Sequence, residues 1–233
     1  MQNYCKTIGA LAAASALVAG NAQAEVEYQL GAEYASMYLF RGADLGDNLV
    51  DVSLDAAYEY NGVNISGGVW GAAFESAQNT GNQVDNEVDW YAEVGYDFGF
   101  ANLSVGYIYY WNVGNLGVDQ QEVPLTISRD FGWANLYLTY FWGVDAPDNN
   151  GYMELGGSHS WELSPCLALT YGSNVGFYAE EGDFTAWTNK LSLDWGFSEN
   201  AKVSPFIAFS LDFAQVGGID DEFLGGSMLS VSF

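Results

Sequence analysis

His159, in the stretch Gly157-Ser158-His159-Ser160-Trp161-Glu162, is the one histidine of the sequence, so histidine-based hydrolysis would have to run through it. General-base work needs an orienting partner and a reachable nucleophile. Ser158 and Ser160 flank His159, but neighbours on a strand point to opposite faces. No triad is expected, and no catalytic residue is assigned. Asp97-Phe98-Gly99 and Asp130-Phe131-Gly132 spell the kinase magnesium motif without its Gly-rich loop, strand lysine or catalytic-loop aspartate. With Asp194-Trp195-Gly196-Phe197 they read as hairpin turns flanked by rings. Glu180, Glu181 and Asp183 cluster, as do Asp220, Asp221 and Glu222. Neither group has the spaced ligands and central glycine of an EF-hand. Loose calcium or magnesium binding is the most they offer, so no metal site and no cofactor is assigned.

The carboxylates are better ordered than these isolated groups. Val50, Val52, Leu54, Ala56, Tyr58 and Tyr60 alternate with Asp51, Ser53, Asp55, Ala57 and Glu59. A period of two gives a strand with one apolar and one polar face. Asn61-Gly62 then marks a tight hairpin before the alternation resumes at Val63. The same pattern places Glu27 and Glu33 opposite Val26, Tyr28, Leu30, Ala32, Tyr34 and Tyr38. It also places Glu87, Asp89, Glu93 and Asp97 opposite Val88, Trp90, Ala92, Val94 and Tyr96.

Read along the whole chain, this rhythm predicts about twelve strands, within the range of bacterial outer-membrane barrels. They fall near 26–40, 48–60, 63–74, 87–97, 101–111, 121–129, 134–142, 151–161, 166–177, 186–195, 201–212 and 223–233. Most approach the ~10 residues that a tilted strand needs to cross a bilayer. Pro124 and Pro205 fall inside proposed strands, and Glu154 and His159 lie on opposite faces of one, so ten strands is the alternative. Tight turns at Asn61-Gly62, 97–100, 130–133, 162–166 and 196–200 alternate with longer acidic connections. The longer set begins at Arg41, Glu75, Asn112, Gly143, Tyr178 and Phe213. Short periplasmic turns and long outer loops are the mark of transmembrane barrels.

Aromatic residues gather at both ends of the strands. Tyr58, Tyr60, Tyr96, Phe98, Phe100, Phe131, Trp133, Trp161, Trp195 and Phe197 lie near the tight turns. Tyr38, Phe40, Phe74, Tyr109, Trp111, Tyr140, Trp142, Phe177 and Trp187 lie near the long loops. Two belts at headgroup level are expected, where a ring is half dry and half wet.

Residues 1–24 read as a cleaved secretory signal peptide: Lys6, an apolar run from Ile8 to Val18, and Ala22-Gln23-Ala24 as a small-x-small cleavage site. Residues 25–233 then form a single barrel domain. Cys5 falls in the leader, leaving Cys166, and one cysteine builds neither a metal nor a redox motif. The net charge is −25, from 30 acids and 5 bases, which argues against nucleic acid as a partner. Acidity of this degree often means disorder, but at 16% aromatic residues the chain has the means to fold.

In a bilayer the apolar face must look outward, because a charge facing lipid at the midplane costs ~2–4 kcal/mol. Closure also pairs every backbone amide that an open edge would leave bare in hydrocarbon. The expected fold is therefore all-β, a transmembrane antiparallel up-and-down barrel. Glu27, Glu33, Asp51, Asp55, Glu59, Glu87, Asp89, Glu93 and Asp97 are expected to line its wet interior. Arg41 is expected at the rim of the first outer loop, paired with Asp44 or Asp47. Leu229, Val231 and Phe233, on one face of the last strand, match the sorting signal of outer-membrane barrels, which implies the barrel-assembly machinery and outer-membrane lipid as partners.

The N-terminal third resembles the TorF-type porin family. The likeness rests on Glu33–Asn48, "EYASMYLFRGADLGDN", followed by "VDVSLDAAYEYNGVNISGGVW" from Val50. In that family a tyrosine-rich first strand runs into a Phe-Arg-Gly corner, here Phe40-Arg41-Gly42. Beyond about residue 75 the match is one of rhythm. The resemblance implies a bacterial outer-membrane barrel with porin activity.

Rings of carboxylates favour cations, so the reading is passive diffusion of small cations or solutes. The alternative is a plugged structural or adhesive barrel, since Trp70, Phe74, Tyr91 and Tyr110 also face inward and twelve strands enclose little space. An outer-membrane hydrolase is the remote third reading. Oligomeric state is not legible.

Overall fold

The computed structural model describes residues 26–76, 84–113, 118–144, 151–213 and 220–233. The expected leader and the central parts of the connections from Glu75, Asn112, Gly143 and Phe213 lie outside the described residues. The strands are β1 (Val26–Phe40), β2 (Ala43–Tyr60), β3 (Val63–Ser76), β4 (Val84–Asp97), β5 (Asn102–Val113) and β6 (Gln120–Asp130). They continue as β7 (Asn135–Gly143), β8 (Tyr152–Ser164), β9 (Leu167–Tyr178), β10 (Asp183–Gly196), β11 (Ala201–Asp212) and β12 (Glu222–Ser232). Each strand pairs with its neighbours in sequence and β12 returns to β1, giving a closed antiparallel twelve-stranded barrel. The ten-strand alternative is excluded.

The alternation in sequence becomes an inside and an outside. Val50, Val52, Leu54, Trp90, Val94, Leu103, Val105, Leu125 and Ile127 are all exposed on the exterior. Soluble monomers rarely expose contiguous apolar patches above a few hundred Å². An apolar surface that continues from strand to strand is suited to hydrocarbon, and the rings at its ends suit the headgroup level. At the seam, Leu30 sits beside Val231 and Ala32 beside Leu229. The Phe233 N–H donates to the Tyr28 carbonyl and the Tyr28 N–H to the Phe233 carbonyl, both at 3.0 Å, with the two rings stacked 5.9 Å apart.

Both prolines stay in their strands by opening one ladder and keeping the other. Pro124 pairs with Phe141 on β7, while the β5–β6 ladder is interrupted between Val105↔Leu125 and Ile108↔Glu122. Pro205 pairs with Ser227 on β12, and the gap falls between Ser192↔Phe206 and Trp195↔Val203. Gly106 makes room for Pro124: a Cβ there would lie 2.9 Å from the Ala92 carbonyl oxygen and 3.0 Å from the Pro124 ring. Gly106→Val is therefore expected to destabilise the barrel by about 1–3 kcal/mol through overpacking. The check is a lower urea midpoint of the refolded variant in detergent; an unchanged midpoint would refute the crowding.

Two of the six long connections are short turns. β1 and β2 meet in a two-residue turn at Arg41-Gly42, with φ 53° and 89°, the same turn form as Asn61-Gly62. The expected loop from Arg41 is thus strand, and Asp44 and Asp47 belong to β2. The connection after Tyr178 shortens likewise to residues 179–182, because β10 begins at Asp183. Acidic, glycine-bearing segments read as loops even where paired backbone carries them.

The tight turns owe their shape to aspartate. Asp97 Oδ1 accepts the Gly99 N–H and Asp130 Oδ1 the Gly132 N–H, each at 2.6 Å, with both glycines at positive φ. Asp194 does not share that place. It is buried inside the barrel on β10 and accepts the Thr170 and Ser192 hydroxyls at 2.5 and 3.2 Å.

Candidate functional site: the barrel interior

The interior has an acidic wall and a hydroxyl wall. β1, β2 and β4 supply Glu33, Asp51, Asp55, Asp85, Glu87, Asp89 and Glu93, with Asp51, Asp85 and Glu87 buried. The Tyr91 hydroxyl, on β4, donates to Asp55 on β2 across the inner surface of β3. On the opposite wall, Thr126 meets Thr139 at 2.9 Å, Ser160 meets Thr170 at 2.8 Å, and Thr188 meets Ser210 at 3.0 Å. Lys190 on β10 reaches to 3.6 Å from Glu33 on β1 and lies 3.7 Å from the centroid of the Phe206 ring. A contact between those strands can form only through the lumen. Glu27 and Glu59 are exposed at the tight-turn end, and Asp97 caps its turn there rather than lining the wall.

The end towards the long connections is packed. The β1–β12 ladder ends at Ala35↔Gly226, and the β2–β3 ladder begins at Gly46↔Ser76. Beyond these limits, among the described residues, Met37–Phe40 have no partner on β12 and Ala43–Leu45 none on β3. Leu39 and Phe40 pair with Asp44 and Ala43, and Met37 and Tyr38 with Asp47 and Gly46 at the ribbon's base. The two strands form a ribbon that leaves the wall. Irregularities at Tyr38/Leu39 and between Asp47 and Val50 turn it, with Asn48 at φ 54°. Gly46 passes so close to the Phe74 ring and the Glu75 carbonyl oxygen that a side chain there would collide.

This bend corrects the outer aromatic belt. Tyr38 and Phe74 are buried in an internal cluster with Leu49, Phe206, Ala208 and Leu224, and Phe40 packs against it. Strict alternation along the wall would have put Tyr38 in lipid; the departure of the ribbon from the wall beyond Ala35 places it inside. Trp111, Trp142 and Trp187 remain outside.

Arg41, at the ribbon's tip, is likewise not where the sequence placed it. Its Nη1 and Nη2 donate to Glu122 Oε1 and Oε2 at 2.9 and 2.8 Å, a bidentate pair that joins the first corner to β6 across the lumen. Glu122 is fully buried and also accepts the Tyr110 hydroxyl at 2.8 Å. The rings of Tyr152, Phe141 and Phe40 lie 4.1, 4.6 and 4.8 Å from the guanidinium carbon, where cation–π attraction adds to the ion pair. Asp44 instead accepts the Gly46 N–H at 2.9 Å, and Asp47 is exposed on β2. Glu122 escaped the sequence reading, although a carboxylate alternating with Val123 and Leu125 was the available signal.

The remaining candidates separate in space. His159 faces outward and packs edge-on against Trp161, with ring centroids 4.6 Å apart. Ser160 turns inward to Thr170. Glu180 and Glu181 are exposed on a turn, and Asp221 accepts the Asp212 N–H at 3.0 Å. Among the described residues, no three His, Cys, Asp or Glu side chains are grouped to hold a metal ion.

No family model matches the chain, TorF-type porins included, and no curated protein matches it significantly. Solved structures match the fold. An outer membrane channel from Pseudomonas putida F1 is 11% identical, with 92% of this chain and 97% of that chain covered and a TM-score of 0.61. The NanC porin is 11% identical over 88% of this chain and 98% of its own, at a TM-score of 0.52. The outer membrane phospholipase OMPLA of Salmonella typhi, a dimer with bound calcium, is 11% identical over 89% and 90%, also at 0.52. The chain thus has the closed β-barrel fold of solved outer-membrane channels, porins and phospholipase.

Proposed function

We propose that the protein is a porin-like channel of the bacterial outer membrane, through which small solutes diffuse passively with a preference for cations. The observation that carries this reading is the one-sided set of carboxylates on β1, β2 and β4, opposed inside the barrel by few bases. Arg41 is already matched by Glu122, and Lys190 lies near Glu33. A low-dielectric cylinder concentrates such a field and enriches counter-ions of opposite sign. The TorF-type likeness of the N-terminal third and the channel and porin names of the structural neighbours point the same way. Outer-membrane lipid, lipopolysaccharide and the barrel-assembly machinery are the partners this reading implies. OMPLA shares the fold, but His159 of this chain looks outward, away from Ser158 and Ser160, so hydrolysis is not the function we propose.

Single-channel recording in a planar bilayer under a KCl gradient tests it. The reversal potential is expected on the potassium side. Replacing Asp51, Asp55 and Glu93 together with Asn, Asn and Gln should move it towards zero. Chloride preference in the unmodified protein would end the cation reading.

A plugged barrel is the second reading, and the packed ribbon at Arg41 specifically favours it.

A further inference from the structure

We propose that the β1–β2 ribbon is a displaceable plug, latched by Arg41 on Glu122, and that undocking it opens the outer half of the lumen. The inference rests on the channel reading above and reconciles it with the packed interior.

Three features make the ribbon separable from the wall. Among the described residues its edges are unpaired with β12 from Met37 to Phe40 and with β3 from Ala43 to Leu45, and it joins the wall ladder only at its base, through Gly46 and Asp47. The backbone irregularities near Tyr38 and Asn48 lie where the ribbon departs from the wall, as hinges should. A two-stranded ribbon alone is marginally stable at best, so its position is set by what its side chains grip. Those grips are the Arg41–Glu122 pair and the apolar contacts of Tyr38, Leu39, Phe40 and Leu45.

The pair is suited to latching rather than to general reinforcement. A buried ion pair is close to neutral overall when intact but costly when one partner is lost. Such a contact is therefore closer to all-or-none than to graded. Phe40 extends the latch by touching both Tyr38 and Tyr110, so the tip bridges the apolar cluster and the polar pair. With the tip withdrawn, Glu122, Glu154, Tyr110 and Tyr152 would line the opened space. The acidic surface would then continue from the lower wall to the outer mouth.

The test is planar-bilayer recording of three proteins, each first shown to be folded by heat-modifiable mobility and far-ultraviolet circular dichroism. They are the unmodified protein, Glu122→Gln, and a variant in which residues 39–45 are replaced by Asn-Gly to join Tyr38 to Gly46, its partner across the ribbon, so that the β2–β3 ladder is kept. The unmodified protein should be mostly closed, and Glu122→Gln should raise open probability by about ten-fold or more. The shortened variant should be constitutively open with a larger unit conductance. If all three conduct alike, the ribbon is no plug and the inference fails while the channel reading stands. If even the shortened variant is silent, the channel reading fails and takes the plug with it.

Discussion

Arg41→Met will undock the first corner: the ribbon amides around Phe40 should lose protection from hydrogen exchange by the equivalent of about 3–5 kcal/mol, the usual cost of breaking a buried ion pair from one side. The cause is Glu122, fully buried and designed around a guanidinium held at 2.8 and 2.9 Å. With methionine in place of Arg41, the carboxylate keeps the Tyr110 hydroxyl but loses its bidentate counter-ion and the three rings lose their cation. The loss should be local. The wall ladders bypass the ribbon, so the urea midpoint of the barrel should hardly move while limited chymotrypsin digestion gains a cut near Tyr38 or Phe40. Replacing both partners, Arg41→Met with Glu122→Met, should restore most of the protection, because the desolvation cost goes with the charges. Equal losses in the single and double variants would mean that packing, not the ion pair, fixes the corner.

Leu54→Arg and Ser53→Arg should differ sharply although they are adjacent. Leu54 is 43% exposed on the outer surface near the middle of β2, while Ser53 faces the interior close to Gly31. Arginine on the lipid face near the midplane should cost about 2–4 kcal/mol, falling towards zero near either interface. Arginine at 53 enters a wet space beside Asp51 and Asp55, where its charge is welcome and only its bulk is opposed. Equilibrium unfolding from lipid vesicles measures both. A larger loss at Ser53 than at Leu54 would reverse the assignment of inside and outside.

The strands were readable because β pairing obeys a period that survives without any tertiary knowledge: Val50 to Tyr60 shows its faces in one dimension. Asn61-Gly62 was readable for a similar local reason, since few residues tolerate positive φ in succession. The first corner was not. Arg41-Gly42 makes the same turn form as Asn61-Gly62, but acids and glycines after it suggested solvent-exposed loop. Its partner Glu122 lies on β6, and no local rule links a turn to a strand on the other side of a cylinder. Tyr38 failed for a related reason, because the point where β1 parts from β12, after Ala35, leaves no mark in residue type. The carboxylates of β1, β2 and β4 were legible as a face, whereas which of them cap turns, as Asp97 does, depended on hydrogen bonds to backbone amides.

The seam between β1 and β12 also constrains how the molecule can form. Eleven hairpin ladders join strands adjacent in the chain, so each can zip from a nearby turn. The twelfth must unite Leu30 with Val231, from opposite ends of the folded sequence. Loop entropy grows only slowly with length, yet contacts this distant are slow to find. The species just before closure is a curled sheet with two bare edges, which water can solvate and hydrocarbon cannot. Entry into the bilayer and locking of the Tyr28–Phe233 stack are therefore physically one event, and a catalyst that shields those edges would accelerate both.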